Sequence, residues 1–174
     1  FLDLDIEGHK RGSVGFEAKG AMLDVTANSY AKLTNQKVVD GTKEQVLSGH
    51  EINLASQFPY MPWVTINWQN YSWEKEKADF NTEGNKLSLE AVLSPTVQFD
   101  IAGDFSDNSG VEDEYTYRLS FVYPPKENKK TLQDGFISDL AFEKANVEEK
   151  LKEKVRRSNN LTVEIQGAVI VTSK

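Results

Sequence analysis

An alternation of apolar and polar residues with a period of two runs through most of the first 123 residues. Successive side chains of a β-strand point to opposite faces of its sheet, so this period predicts strands rather than helices. Eight such segments can be written, from Leu2–Glu7 at the start to Tyr115–Tyr123 at the end. The pattern therefore predicts an all-β chain whose strands each have one apolar and one polar face.

The links between these segments alternate in length, apart from a short link around His9. Short links take turns with long polar ones; the short ones are 20–21, 59–62 and 94–96, and the long ones are 34–49, 72–84 and 106–114. Outer-membrane barrels have short turns at one end and long loops at the other. The link lengths therefore favour an antiparallel up-and-down transmembrane β-barrel.

Composition excludes several functional classes. The net charge of −7 argues against general nucleic-acid binding, which needs a basic excess, and the absence of Cys removes thiol nucleophiles and disulfides. Neither His9 nor His50 has a neighbouring nucleophile in the sequence, so we expect no enzyme, no cofactor and no bound metal. The mean hydropathy of −0.53 predicts no membrane-spanning helix. It leaves a membrane barrel open, because a barrel strand exposes apolar side chains to lipid only at every second residue.

The pattern alone does not decide which face of the strands is buried. In a membrane barrel the apolar side chains face lipid, namely Ile52, Leu54, Val64, Ile66, Leu87, Leu89, Phe99 and Leu119. The charged side chains then face the lumen, namely Asp3, Asp5, Glu17, Asp24, Glu51, Glu90, Asp100 and Arg118. In the alternative, a soluble lipocalin-like barrel, the same apolar residues turn inward around an apolar ligand. A third alternative, an outer-membrane enzyme, needs a clustered acid, base and nucleophile that the sequence does not offer.

The character of the sequence changes after Pro124 and Pro125. Over residues 132–157, apolar residues recur at mixed spacings of three and four with Glu and Lys between them, which predicts an amphipathic helix. The polar run Ser158–Asn160 ends it, and an extended piece, Leu161–Ile165, follows. A small apolar run, Ala168–Val171, comes last.

Several motifs are similar to one family. They are Phe1–Asp5, Arg11–Glu17, Ala27–Tyr30, the proline turns Phe58–Pro62 and Leu93–Pro95, and the tail Val155–Glu164. The chain resembles the β-domain of inverse autotransporters, the intimin and invasin group of bacterial outer-membrane adhesins. The tail is the most specific part, because it is similar to the family's Val-x-Arg-Asn-Asn-Asn-Ile-x-Leu-Glu segment, with Ser158 in place of the first Asn. The resemblance covers essentially the whole chain and matches the last eight of the family's twelve strands.

This resemblance implies a secretion and cell-adhesion function, with a role in virulence. It implies transmembrane strands over 1–125, a helical plug and linker over 126–160, and an extended linker over 161–174 that leads to a passenger domain. The plug and linker residues are Lys150, Lys154, Arg156, Arg157, Asn159 and Asn160. The implied partners are outer-membrane lipid, the barrel-assembly machinery, the chain's own C-terminal passenger and a host or neighbouring-cell receptor. Since eight strands enclose an interior filled by side chains, we expect further strands upstream of Phe1 and a passenger downstream of Lys174.

Overall fold

A computed structural model describes residues 1–76, 78, 81–108, 112–125, 129–153, 155–158 and 161–165, and the backbone of 168–172. The regular secondary structure of these residues is almost entirely β. Its strands are β1 Leu2–Leu4, β2 Lys10–Lys19, β3 Leu23–Lys32, β4 Lys37–Val39, β5 Thr42–Val46, β6 Gly49–Phe58, β7 Met61–Trp73, β8 Thr82–Ser94, β9 Val97–Ser106, β10 Glu114–Phe121, β11 Leu161–Ile165 and β12 Ala168–Thr172. The predicted all-β class is confirmed.

Eight of these strands form one antiparallel sheet. Its order is β1-β2-β3-β6-β7-β8-β9-β10. Each strand of this sheet therefore lies beside the one that precedes it in the chain, except that β4 and β5, between β3 and β6, belong to a second sheet. Strands β2, β3, β6 and β9 have 10 residues, and β7 and β8 have 13. A tilted strand needs about 9–11 residues to cross a bilayer, so these lengths suit a membrane wall.

The links lie at the two ends of this sheet as the sequence predicts. Pro59–Tyr60 and Pro95–Thr96 are two-residue turns between directly paired strand ends, and they share one end of the sheet with the β2–β3 turn. The long links lie at the opposite end. These ends are called the short-turn end and the long-loop end below.

A second sheet forms from segments that the sequence predicts as a loop and a linker. Its order is β12-β11-β5-β4, all antiparallel. The β4–β5 hairpin lies within the long link 34–49 and turns at Asp40 (φ 48°) and Gly41 (φ 81°). Both residues occupy the left-handed region that a two-residue hairpin turn requires, and Asp-Gly is the dipeptide that adopts it most readily.

The helix predicted over 132–157 does not form. The described residues of this region contain one 3₁₀ turn, Leu132–Asp134, and a four-residue helix, α1, at Val147–Lys150. Three of the apolar residues whose spacing predicts the helix, Phe136, Leu140 and Leu151, are exposed. They therefore form no buried face that would stabilise a helix. The backbone is used instead to bond to the sheet, as described below. No helix among the described residues is long and apolar enough to cross a membrane.

Candidate functional site

Over β1–β3, β6 and β7, the large sheet buries most of its polar face and exposes most of its apolar face. Arg11 and Glu51, on the polar face, are 0% and 1% exposed, whereas Val14 and Phe16, on the apolar side, are 76% and 65% exposed. A soluble sheet packs its apolar side chains inward and solvates the polar ones. The polarity is therefore the reverse of what the lipocalin-like alternative requires.

The residues predicted to face lipid share this apolar face. Cross-strand register aligns Leu54 with Leu87 through β7, and it aligns Ile66 with Leu89. Ile52, Leu87, Phe99 and Leu119 are exposed, Leu54, Ile66 and Leu89 are partly exposed, and Val64 is buried. The structure brings all eight together on one side of the sheet.

Most of the residues predicted to face the lumen lie on the opposite, polar face. Asp3, Glu17, Asp24, Glu51, Glu90, Asp100 and Arg118 alternate with the outer residues along their strands. Asp5 is the exception. It follows β1, and its carboxylate accepts a hydrogen bond from the backbone N–H of His9 at 2.7 Å, so it stabilises the β1–β2 link.

Residues 129–158, called the return segment, run back over the polar face after β10. The segment first meets the short-turn end at Tyr60, whose backbone N–H donates to the Ala141 carbonyl and whose carbonyl accepts from Ser138 N–H, both at 2.8 Å. The indole N–H of Trp63 donates to the Phe136 carbonyl at 3.0 Å, and the two rings lie 5.6 Å apart. These contacts attach the start of the segment to the β6–β7 turn.

Further along, the return segment is fixed to the β2–β3 hairpin. Ala145 N–H donates to the Ala21 carbonyl at 3.1 Å. The Lys150 ammonium lies 2.6 Å from the Asp24 carboxylate and donates to the Gly20 carbonyl at 2.8 Å. The side chain of Lys19 reaches the Lys150 carbonyl at 2.7 Å from the other side. Lys150, predicted as a plug residue, thus binds an acidic residue of the polar face.

The two arginines of the return segment pair with carboxylates of the sheet. Arg156 makes a bidentate contact with Glu90 at 2.6 and 3.0 Å, and Arg157 makes one with Asp3 at 3.0 and 2.7 Å. Asp3 also accepts two hydrogen bonds from Arg11. Asp3 thus joins Arg157 of the return segment to Arg11 of β2.

Glu51 is the buried acceptor at the centre of this arrangement. One carboxylate oxygen accepts from the Tyr30 hydroxyl at 2.7 Å, from the Asn28 amide at 3.0 Å and from the Ser158 backbone N–H at 2.9 Å. The other oxygen accepts from the Gln69 amide at 2.6 Å. A buried carboxylate is tolerated only when donors satisfy it in this way. Glu51 therefore fixes the backbone of the return segment from three neighbouring strands.

Aromatic rings enclose the same region. The Arg11 guanidinium lies over the Tyr30 ring at 4.3 Å and over the Trp73 ring at 5.5 Å, and Arg157 lies over Phe1 at 4.4 Å. Arg11 also donates to the Ser158 carbonyl at 2.8 Å. Sequence reasoning missed Arg11, Tyr30 and Trp73, because their partners lie far away in the chain and no local spacing links them.

Beyond Ser158 the chain reaches the long-loop end and joins the second sheet. Strand β11 pairs with β5, with Val163 opposite Val46, and Leu47 N–H donates to the Thr162 carbonyl at 3.0 Å. The return segment thus crosses the polar face from the short-turn end to the long-loop end. Three predicted plug residues, Lys154, Asn159 and Asn160, lie outside the described residues.

The two histidines offer no catalytic arrangement. His9 is buried, and its Nε2 lies 3.3 Å from the Glu44 carboxylate of β5, so it joins the β1–β2 link to the second sheet. His50 is exposed at the start of β6. In the part of the chain that the structure describes, no three His, Asp or Glu residues cluster as a metal site would require.

Comparisons with known proteins agree with this architecture. The family model described as "Inverse autotransporter, beta-domain" matches residues 1–159. A solved structure, described as "Unveiling the Mechanism Behind the in-meso Crystallization of Membrane Proteins", superposes with a TM-score of 0.73 at 18% sequence identity, covering 95% of this chain and 71% of that chain. At that identity the likeness concerns the fold. No curated protein matches the sequence.

Proposed function

The chain belongs to the inverse autotransporter β-domain family, whose members are outer-membrane barrels of Gram-negative bacteria, and we propose that it displays a C-terminal passenger at the cell surface. The family role is that of a translocator and anchor rather than of an enzyme. We assign this chain no reaction and no cofactor. The finer statements below concern its passenger, lumen and partners.

The observation that carries the proposal is the reversed polarity of the sheet together with the course of the return segment. Side chains such as Ile66 and Leu87 share the apolar face of the sheet, which supports the proposal that this face contacts lipid hydrocarbon and that the opposite, charged face lines the lumen. Short turns of outer-membrane barrels lie on the periplasmic side. A segment that crosses from the short-turn end to the long-loop end therefore leads from the periplasm outward.

Charge complementarity supports a lumen occupied by this chain's own linker. Lys150, Arg156 and Arg157 each meet a carboxylate of the strands, and these carboxylates are Asp24, Glu90 and Asp3. Opposite charges within about 4 Å attract strongly where bulk water is excluded. We propose transmembrane strands within 1–125, a lumen segment within 126–160 and an outgoing segment from 161 onward.

The partners follow from the family likeness and from this orientation. Outer-membrane lipid contacts the exposed apolar face, and the barrel-assembly machinery inserts the strands. A passenger beyond Lys174 binds a host or neighbouring-cell receptor, as expected of an intimin- or invasin-like adhesin. The apolar face supports the first of these partners, and the outward course of the return segment supports the passenger.

The test is surface display in a Gram-negative host. An epitope is fused after Lys174, and antibody labelling of intact cells is compared for the parent protein, Ile66→Arg and the control Thr116→Arg. Arginine in place of Ile66 should cost about 2–4 kcal/mol if that side chain meets lipid near the bilayer midplane, and membrane assembly and labelling should fall. Thr116 lies on the polar face of β10, so its replacement should leave labelling intact. Equal labelling of both variants, or no labelling of the parent, would refute the proposal.

A further inference from the structure

Strand β11 is enclosed where the chain leaves the polar face. Leu161, Thr162, Val163 and Glu164 are all buried. On one side, Leu161 and Val163 pack with Val46 of β5 in an apolar cluster. Four successive buried residues are unusual for a linker that merely connects two domains, since linkers are normally solvated.

Hydrogen bonds from two long loops hold the same strand. The β5–β11 register pairs Val163 with Val46, Glu164 with Gln45, and Ile165 with Glu44. From the β7–β8 loop, Glu76 N–H donates to the Glu164 carboxylate at 2.9 Å. Glu76 in turn forms an ion pair with Lys32 of β3. Because Glu76 also follows β7 in the chain, it connects β11 to two strands of the large sheet, β3 and β7.

The chain connects this pair directly to the large sheet. Strand β5 ends at Val46, and β6 of the large sheet begins three residues later at Gly49. Because β5 and β11 are antiparallel, the C-terminal end of β11 points away from the large sheet. A pull on that end acts along the strand, so the β5–β11 hydrogen bonds are loaded together and not one after another.

We propose that the β4–β5 hairpin is a tension clamp that transfers force on the outgoing chain through β6 into the barrel wall. The inference rests on the proposed function, because the force comes from a passenger bound to another surface. In this arrangement the lumen contacts of Arg156, Arg157 and Ser158 are shielded from the pull. The β4–β5 hairpin, which lies in a link that the sequence predicts to be a loop, would thus transfer mechanical load.

The pairing of strand β12 with β11 determines the order in which we expect the strand pairs to break under load. It runs back along β11, with Thr172 opposite Leu161. A pull beyond Thr172 therefore peels β12 from β11 one bond at a time, before the β5–β11 pair breaks. The β5–β11 pair breaks next, at a higher force, because its bonds share the load.

The experiment is single-molecule pulling on the full-length protein in a lipid bilayer through a handle at its C-terminus. The variant Val163→Asp places a charge in the apolar cluster, and Val38→Asp is the matched control, because Val38 of β4 is exposed. We expect the second rupture force to fall about twofold in Val163→Asp and to stay at the parental value in Val38→Asp. Equal rupture forces in all three proteins would overturn the proposal.

A reversible disulfide provides a second test that does not depend on whether Val163→Asp folds. The chain has no native Cys, and Val46 and Val163 face each other in register, so V46C and V163C together can form one disulfide. With the pair oxidised the second rupture should vanish, and reductant should restore it. If the disulfide fails to form in the folded protein, or if the lumen segment is extracted while the pair is oxidised, the clamp is refuted. Failure of the proposed function appears separately, as loss of antibody labelling at the handle on intact cells.

Discussion

Replacing Glu51 with Ala should loosen the return segment more than any change of similar size on the polar face. Tyr30 and Gln69 lose the acceptor that the structure gives them, whereas Asn28 and Ser158 each keep a second partner. Each buried donor left without an acceptor costs about 1–3 kcal/mol, so the two freed donors predict a loss of about 2–6 kcal/mol. The low end applies if lumen water reaches them.

The conservative variant Glu51→Gln separates hydrogen bonding from charge. Its amide oxygen can accept from Tyr30, Asn28 and Ser158, and the Gln69 amide can rotate to offer its own oxygen to the new NH₂ group. Tyr30, Asn28 and Ser158 then keep an acceptor, so the loss should stay at about 1–2 kcal/mol, the difference between charged and neutral hydrogen bonds.

The assay is urea unfolding in lipid vesicles followed by tryptophan fluorescence, with bilayer conductance as a second reading. Glu17→Ala is the matched control, because Glu17 lies on the same face and its partly exposed side chain forms an ion pair with Lys19 at 3.3 Å. Such a pair contributes about 0–1 kcal/mol. Glu51→Ala should also raise conductance as the return segment loosens. The reasoning fails if Glu51→Ala and Glu17→Ala unfold within about 0.5 kcal/mol of each other.

Three further changes test other contacts. Arg157→Lys keeps the charge but loses the bidentate contact with its carboxylate on β1, so the free energy of unfolding should fall by about 1–2 kcal/mol. In Gly49→Ala the added Cβ would clash with the Ser72 carbonyl oxygen and lie 2.5 Å from the Trp73 ring, and the displacement of these groups should cost about 1–3 kcal/mol and shift tryptophan emission. Hydrogen bonds from the Thr131 backbone N–H and hydroxyl lower the pKa of Asp134, so the 3₁₀ turn is stabilised above the ordinary pKa of Asp and loses that support as the pH falls through the lowered value. An NMR titration of Asp134 measures it.

Each of these has its own control and its own contrary result. Lys152→Arg, at an exposed site in the same segment, should leave stability unchanged, and an equal loss there would show that the effect of Arg157→Lys does not come from its bidentate contact. Gly12→Ala meets only an ordinary contact with Leu33, so a cost as large as at Gly49 would point to backbone effects instead. For Asp134, a titration midpoint in Thr131→Val that is identical to that of the parent protein would show that the hydroxyl contributes nothing beyond the backbone N–H.

Local sequence determined the strands, the turns and the identity of the two faces. The alternation through β2, β3 and β6–β10 survives in the structure because side chains of an extended strand must point to opposite sides. Asp40–Gly41 shows that a further local signal was present, since this dipeptide marks a hairpin inside a link that reads as a polar loop. The periodicity behind the predicted helix was misleading, because a helix this polar needs a surface to pack against.

Tertiary structure alone decided which face is covered and what covers it. A period of two is the same whether the apolar side meets lipid or a protein core, so Leu87 and Glu51 could be assigned to opposite faces but not to outside and inside. The contact between Glu51 and Ser158 spans 107 positions, and the one between Asp3 and Arg157 spans 154. No local spacing encodes such pairs, because they exist only once the strands have aligned and the end of the chain has returned across them.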